Sequence, residues 1–77
     1  MNKERREKLR RINRTIQECM DEVEFLRDAE DEAMGNVPEN MWDSDRYLAM
    51  EDAVGYLEEA HASMEEAANL IDSAIAS

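Results

Sequence analysis

Apolar positions recur at intervals of three and four through two long breaker-free stretches. In the first, from about Lys3 to Met34, they are Leu9, Ile12, Ile16, Cys19, Val23, Leu26 and Ala33, with only Glu30 interrupting the series. That spacing predicts one helix with an apolar stripe over about residues 3–34, some ~48 Å long. Gly35 and Asn36 supply a stop, because both tolerate the left-handed cap conformation. A connection over 35–43 follows, in which Pro38 suits the start of a single helical turn. Asp43 or Ser44 is the expected N-cap of a second helix over about 44–76, with Asp45 in its first turn.

The second stretch repeats with a period of seven. Met50, Leu57, Met64 and Ile71 occupy heptad position d. Tyr47, Val54, His61, Ala68 and Ile75 then fall at a, and Ala53, Ala60, Ala67 and Ala74 at g. Acidic pairs fill e and f in all but the last repeat, where Ser73 takes f. A heptad sustained this long is a coiled-coil signature, and alanine at g lets a further helix approach closely. The short connection requires the two helices to be antiparallel. Pairing Met34 with about Ser44 makes facing residue numbers total roughly 78. The predicted fold class is therefore all-α, a single helical-hairpin domain. Met20, Phe25 and Ala29 on the first helix, and Leu48, Tyr56 and Leu70 on the second, widen the apolar faces beyond what two helices can cover. Self-association into a homodimeric four-helix bundle or a higher oligomer is the expected solution.

Composition narrows the classes of function. With 77 residues, two glycines and one proline, there is room for one small domain and about one turn region. One cysteine excludes an internal disulfide and a Cys-rich zinc site. No apolar run is long enough to span a membrane, and no apolar stretch follows the opening Met-Asn-Lys-Glu-Arg-Arg, so a cytoplasmic protein is expected. Cys19 lies on the apolar stripe with no partner base, which suits a buried structural thiol. No phosphate loop or nucleophile–base motif is present, and the chain reads as a non-enzyme without a cofactor.

The net charge is −11, but residues 1–14 carry seven basic and two acidic side chains, or +5, while residues 15–77 carry two and eighteen, or −16. In the expected register Arg14 lies near Met64 and the basic head runs beside Glu65, Glu66 and Asp72, which accounts for much of this asymmetry. The head, or Arg46, also suits phosphate, as in an oligomeric sponge for a small anionic signalling nucleotide. Duplex nucleic acid is disfavoured, because the acidic body repels phosphate and no aromatic residue lies in 1–24 to stack on bases.

The segment 36–60 resembles a group of small acidic proteins encoded by phages and prophages of Gram-positive bacteria; the likeness covers most of the chain, and 36–47 is its distinctive part. The Asn36-Val-Pro-Glu-Asn40 loop, the Ser44-Asp-Arg-Tyr47 step and the Leu57-Glu-Glu-Ala60 repeat carry the likeness, as does the Met-Asn-Lys-x-Arg-Arg opening. Trp42 departs from it, standing where a polar residue is usual. The resemblance implies phage origin, a helical hairpin and, by analogy with other small phage proteins, inhibition of a host or defence component.

Three sets of residues are candidates for such binding. Glu39, Asn40, Trp42, Arg46 and Tyr47 cluster near the connection, where aromatic and charged side chains exceed what a turn needs; Trp42 and Tyr47 also suit a plug for the open end. Arg46 falls at g, where every later repeat has Ala. Asp52, Glu58, Glu59, Glu65, Glu66 and Asp72 form an acidic ridge ~30 Å long, either a solvated face or a phosphate-backbone mimic. Glu58 and His61 form one Glu-x-x-His, a weak pointer to a di-metal oxidase if Glu18 or Glu22 adds a carboxylate; a half-packed core histidine is the plainer reading. A purely structural oligomerisation module is the remaining alternative.

Overall fold

A computed structural model describes all 77 residues. Two helices, α1 (Lys3–Gly35) and α2 (Asp45–Ala76), run antiparallel and are joined by a loop containing one 3-10 turn at Glu39–Met41. There are no strands, and the Cα frame measures 59 × 15 × 13 Å. The all-α hairpin expected from the spacing is present, with helix boundaries within one residue of the sequence reading.

Local chemistry explains the starts. The Asn2 side chain accepts a hydrogen bond from the Arg5 backbone N–H at 2.8 Å. Ser44, not Asp43, caps α2, its hydroxyl accepting from Tyr47 N–H at 3.2 Å. Each cap satisfies a donor the helix itself leaves unpaired, worth about 1 kcal/mol. Pro38, extended at φ −57° and ψ 143°, leads into the 3-10 turn as expected.

The end of α1 differs from expectation. No residue has positive φ, so the left-handed cap at Gly35–Asn36 is not used. Asn36 stays near-helical at φ −86°, ψ −6°. Its N–H reaches Glu32 and Ala33 carbonyls at 3.2 Å, and Val37 N–H reaches Met34 at 3.1 Å. The helix tightens through its last turn, which satisfies the terminal carbonyls without a reversal of φ.

Packing follows heptads in both helices. The less exposed residues of α2 are Tyr47, Met50, Val54, Leu57, His61, Met64, Ala68, Ile71 and Ile75, the a and d positions, joined at g by Ala53 and Ala74. On α1 they are Arg6, Leu9, Asn13, Ile16, Met20, Val23, Arg27, Glu30 and Met34, with Cys19 at the edge. These α1 residues also step by three and four, so a is Arg6, Asn13, Met20, Arg27 and Met34, and d is Leu9, Ile16, Val23 and Glu30. The single stripe expected on α1 therefore splits in two. Leu9, Ile16 and Val23 face α2, joined by Met20, the most deeply buried residue. Ile12, Cys19, Leu26 and Ala33 form a separate ladder at g, where Ile12 and Leu26 are exposed. Cys19 is half-exposed rather than buried.

The register differs as well. Arg6 contacts Ile75, Asn13 contacts Ala68 and Asp72, Arg27 contacts Glu58, and Glu24 contacts His61. These pairs total 81 to 85 rather than roughly 78, a slip of about one helical turn. The connection contributes: α1 runs one residue further and α2 begins one residue later, which moves the facing ends from Met34 and Ser44 to Gly35 and Asp45.

Asn13 sits at an a position and bridges the helices. Its Nδ2 donates to Ala68 O at 3.1 Å and to Asp72 Oδ1 at 2.8 Å. Its Oδ1 is buried without a partner. A polar residue at a specifies register at some cost in stability. Asn13→Leu is expected to raise stability by about 1 kcal/mol by removing the orphan oxygen, and Asn13→Asp to lower it by about 1–3 kcal/mol by placing a carboxylate against Asp72 and a carbonyl. Thermal melts of the two variants test this; a Leu variant that melts lower means the two donated bonds outweigh the orphaned acceptor.

Candidate functional site at the connecting end

The end of the hairpin is built by short-range contacts. Met41 N–H closes on Pro38 O at 2.8 Å and Ser44 N–H on Met41 O at 3.1 Å, which forms the 3-10 turn and passes the chain to the Ser44 cap. The Trp42 indole N–H donates to Val37 O at 3.0 Å. Its ring stacks on Tyr47, with centroids 5.9 Å apart and planes 20° from parallel. Trp42 thus ties the loop to the first turn of α2, yet it remains 47% exposed.

Beside the stack lies a shallow cleft lined by Val37, Pro38, Met41, Tyr47 and Met50, with Arg46 also contributing. Arg46 is exposed and makes no ion pair, since the pairs in the molecule involve Lys8, Arg27 and His61 only. Glu39 and Asn40 are exposed in the 3-10 turn. The structure therefore brings Trp42, Tyr47 and Arg46 to one end as the sequence anticipates. An apolar cleft beside an unpaired guanidinium can take a carboxylate or phosphate bidentately while burying an adjacent apolar group.

The acidic ridge is only partly free. Glu58 accepts from Arg27 at 3.2 Å, and Asp28 pairs with the same guanidinium at 2.8 Å. The hydrogen bond to Glu58, followed by the charge of Asp28, raises the Arg27 pKa, so this cation is present at any working pH. Asp72 is held by Asn13. Asp52, Glu59, Glu65 and Glu66 are exposed and make no ion pair.

Two expectations are corrected here. The basic head does not pair with Glu65, Glu66 or Asp72. Lys8 instead pairs with Glu4 of its own helix at 3.3 Å. Arg6 donates to the backbone oxygens of Ile75 at 3.0 Å and Ser77 at 3.3 Å, where a cation complements the C-terminal end of the α2 dipole. Arg5, Arg10, Arg11 and Arg14 are exposed and pair with no acid. The one-turn slip in register carries the α2 carboxylates past them. The Glu-x-x-His reading also changes. Glu58 and His61 do share a cleft, but with Glu24, Leu57 and the Arg27 guanidinium, not with Glu18 or Glu22. His61 Nε2 lies 3.9 Å from Glu24 Oε2, an ion pair only when the imidazole is protonated. No group of three or more His, Cys, Asp or Glu side chains is arranged to hold a metal ion.

What the sequence reading missed is Arg27. It sits at an a position in strict seven-residue phase with Arg6, Asn13, Met20 and Met34, and that phase was its available signal. No helix is long and apolar enough to cross a membrane. Comparison with protein families, curated proteins and solved structures finds no match to this chain.

Proposed function

We propose that the protein is a non-enzymatic, self-associating helical hairpin that binds a partner through its connecting end. The observation that carries this is the unpaired Arg46 beside an apolar cleft, on a loop held by the Trp42 indole and the Trp42–Tyr47 stack. The rest of the fold needs neither the cleft nor the free guanidinium. The resemblance of the 36–47 segment to phage-encoded acidic proteins makes a host or defence component the expected partner, inhibition the expected effect and the host cytosol the expected place. Affinity capture from a lysate of Gram-positive cells carrying defence systems tests it. The wild-type chain is expected to retain a partner that Arg46→Ala and Glu39→Ala lose. Loss on neutralising Glu65, Glu66 and Asp72 together, with Arg46→Ala still binding, transfers the function to the acidic ridge and makes mimicry of a phosphate backbone the better reading.

A second reading rests on a different observation. The four arginines of the head that pair with no acid, Arg5, Arg10, Arg11 and Arg14, suit an oligomer that sequesters a small anionic signalling nucleotide. Under that reading a cyclic dinucleotide raises the melting temperature of the wild type but not of an Arg10→Ala/Arg14→Ala variant.

A further inference from the structure

The two edges of the hairpin differ in chemistry. Every hydrogen bond or ion pair made by a side chain between α1 and α2 joins positions a and e, or an a position to backbone: Arg27 with Glu58, Glu24 with His61, Asn13 with Asp72 and Ala68, Arg6 with Ile75. In an antiparallel pair like positions share an edge, so these contacts define an e edge. The opposite edge carries the g positions: Ile12, Cys19, Leu26 and Ala33 from α1 and the alanine ladder from α2. Between residues 12 and 33 of α1 and between 53 and 74 of α2, no g position is charged. Tyr56 and Leu70, at the neighbouring c position, are 71% and 64% exposed.

We infer that a second copy of this chain covers the g edge head to tail, about a two-fold axis passing beside Cys19. The inference rests on the self-association reading above and adds its geometry. Three observations carry it. The first is area. Only Met20 and Val54 are buried, and the accessible surface is 5900 Å², where a compact monomer of this mass exposes about 4,800 Å². A frame of 59 × 15 Å offers a face of the order of the ~800 Å² per partner that a stable interface buries.

The second is symmetry. Residue 19 is the midpoint of α1, which runs from Lys3 to Gly35. A two-fold axis there overlaps α1 with its copy along its whole length and sets Ile12 against Leu26 of the second copy. The third is charge. That register lays residues 3–14, at +5, along residues 24–35 of the copy, where Glu24, Asp28, Glu30, Asp31 and Glu32 outnumber Arg27 for a net −4. Packing the same faces with like ends together puts +5 beside +5. Opposite net charges along the two helices favour this orientation over the like-ended one. Of the unpaired arginines Arg5 lies at g, while Arg10, Arg11 and Arg14 lie at e, f and b, so the preference is one of net charge along the helices and not of individual ion pairs.

A nitroxide at Lys3→Cys, in a Cys19→Ala background, tests the geometry. Light scattering is expected to give the mass of two chains at micromolar concentration. Pulsed dipolar spectroscopy is expected to give an interspin distance of about 48 Å, from 32 residues of helix rise. A distance under about 20 Å overturns the head-to-tail arrangement while leaving self-association intact. A monomer mass overturns both. Leu26→Glu and Ala60→Glu, on the g edge, are expected to halve the mass with helicity by circular dichroism retained, whereas Gln17→Lys on the e edge leaves the dimer. A dimer that survives both g-edge charges overturns the inference.

Discussion

Met20→Ala should lower the stability of the hairpin by about 2–5 kcal/mol, while Phe25→Ala, five residues along the same helix, should change it by less than about 0.5 kcal/mol. Met20 is 5% exposed at the centre of the α1 seam, and Phe25 is 73% exposed at an outward f position. Removing the Met20 side chain loses its transfer free energy and leaves a cavity that two long helices, pinned at Asn13 and Arg27, close only in part. A domain of this size has only a few kcal/mol in reserve, so the Met20 variant should be largely unfolded at 37 °C. Urea denaturation followed by circular dichroism measures both. Equal losses for the two variants contradict the heptad phase assigned to α1.

Arg46→Ala should weaken partner binding about 10- to 100-fold with helicity and melting temperature unchanged. A charge-assisted hydrogen bond contributes roughly 1.5–3 kcal/mol, which corresponds to that range. Stability should hold because the guanidinium has no ion-pair partner within the chain to lose, and Ala is the better helix former. Arg46→Lys should restore only part of the affinity, since an ammonium cannot reproduce two parallel bonds to one carboxylate or phosphate. Trp42→Phe separates positioning from contact. It removes the indole bond to Val37 O but keeps a ring for the Tyr47 stack. It should lower the melting temperature slightly and reduce affinity less than Arg46→Ala. Calorimetric titration with the captured partner distinguishes these cases, and full restoration by Arg46→Lys would reduce the residue to a point charge.

The sequence by itself determined the elements and their bounds to within one residue, though not the near-helical finish of α1 at Gly35 and Asn36. Caps and turns are contacts within three or four residues, so Ser44, Pro38 and the 3-10 turn are written in neighbouring letters. The a and d positions of α2 were equally legible, because apolar residues and alanines there repeat with one period and leave one choice of seam. Helix α1 offered two choices. Its d residues and its g ladder lie on adjacent arcs of one cylinder, and Arg6, Asn13, Arg27 and Glu30 dilute the arc that is used. A hydrophobicity pattern merges such arcs into one stripe; only the fit against α2 separates them. Register was likewise a tertiary decision. A slip of one helical turn leaves the apolar layers filled but exchanges every polar partner across the seam. That exchange gave Glu58 to Arg27 and Asp72 to Asn13, and left Arg5, Arg10, Arg11 and Arg14 without acids. The chain wrote its helices locally, and the choice of which face meets which belonged to the packing of one helix on the other.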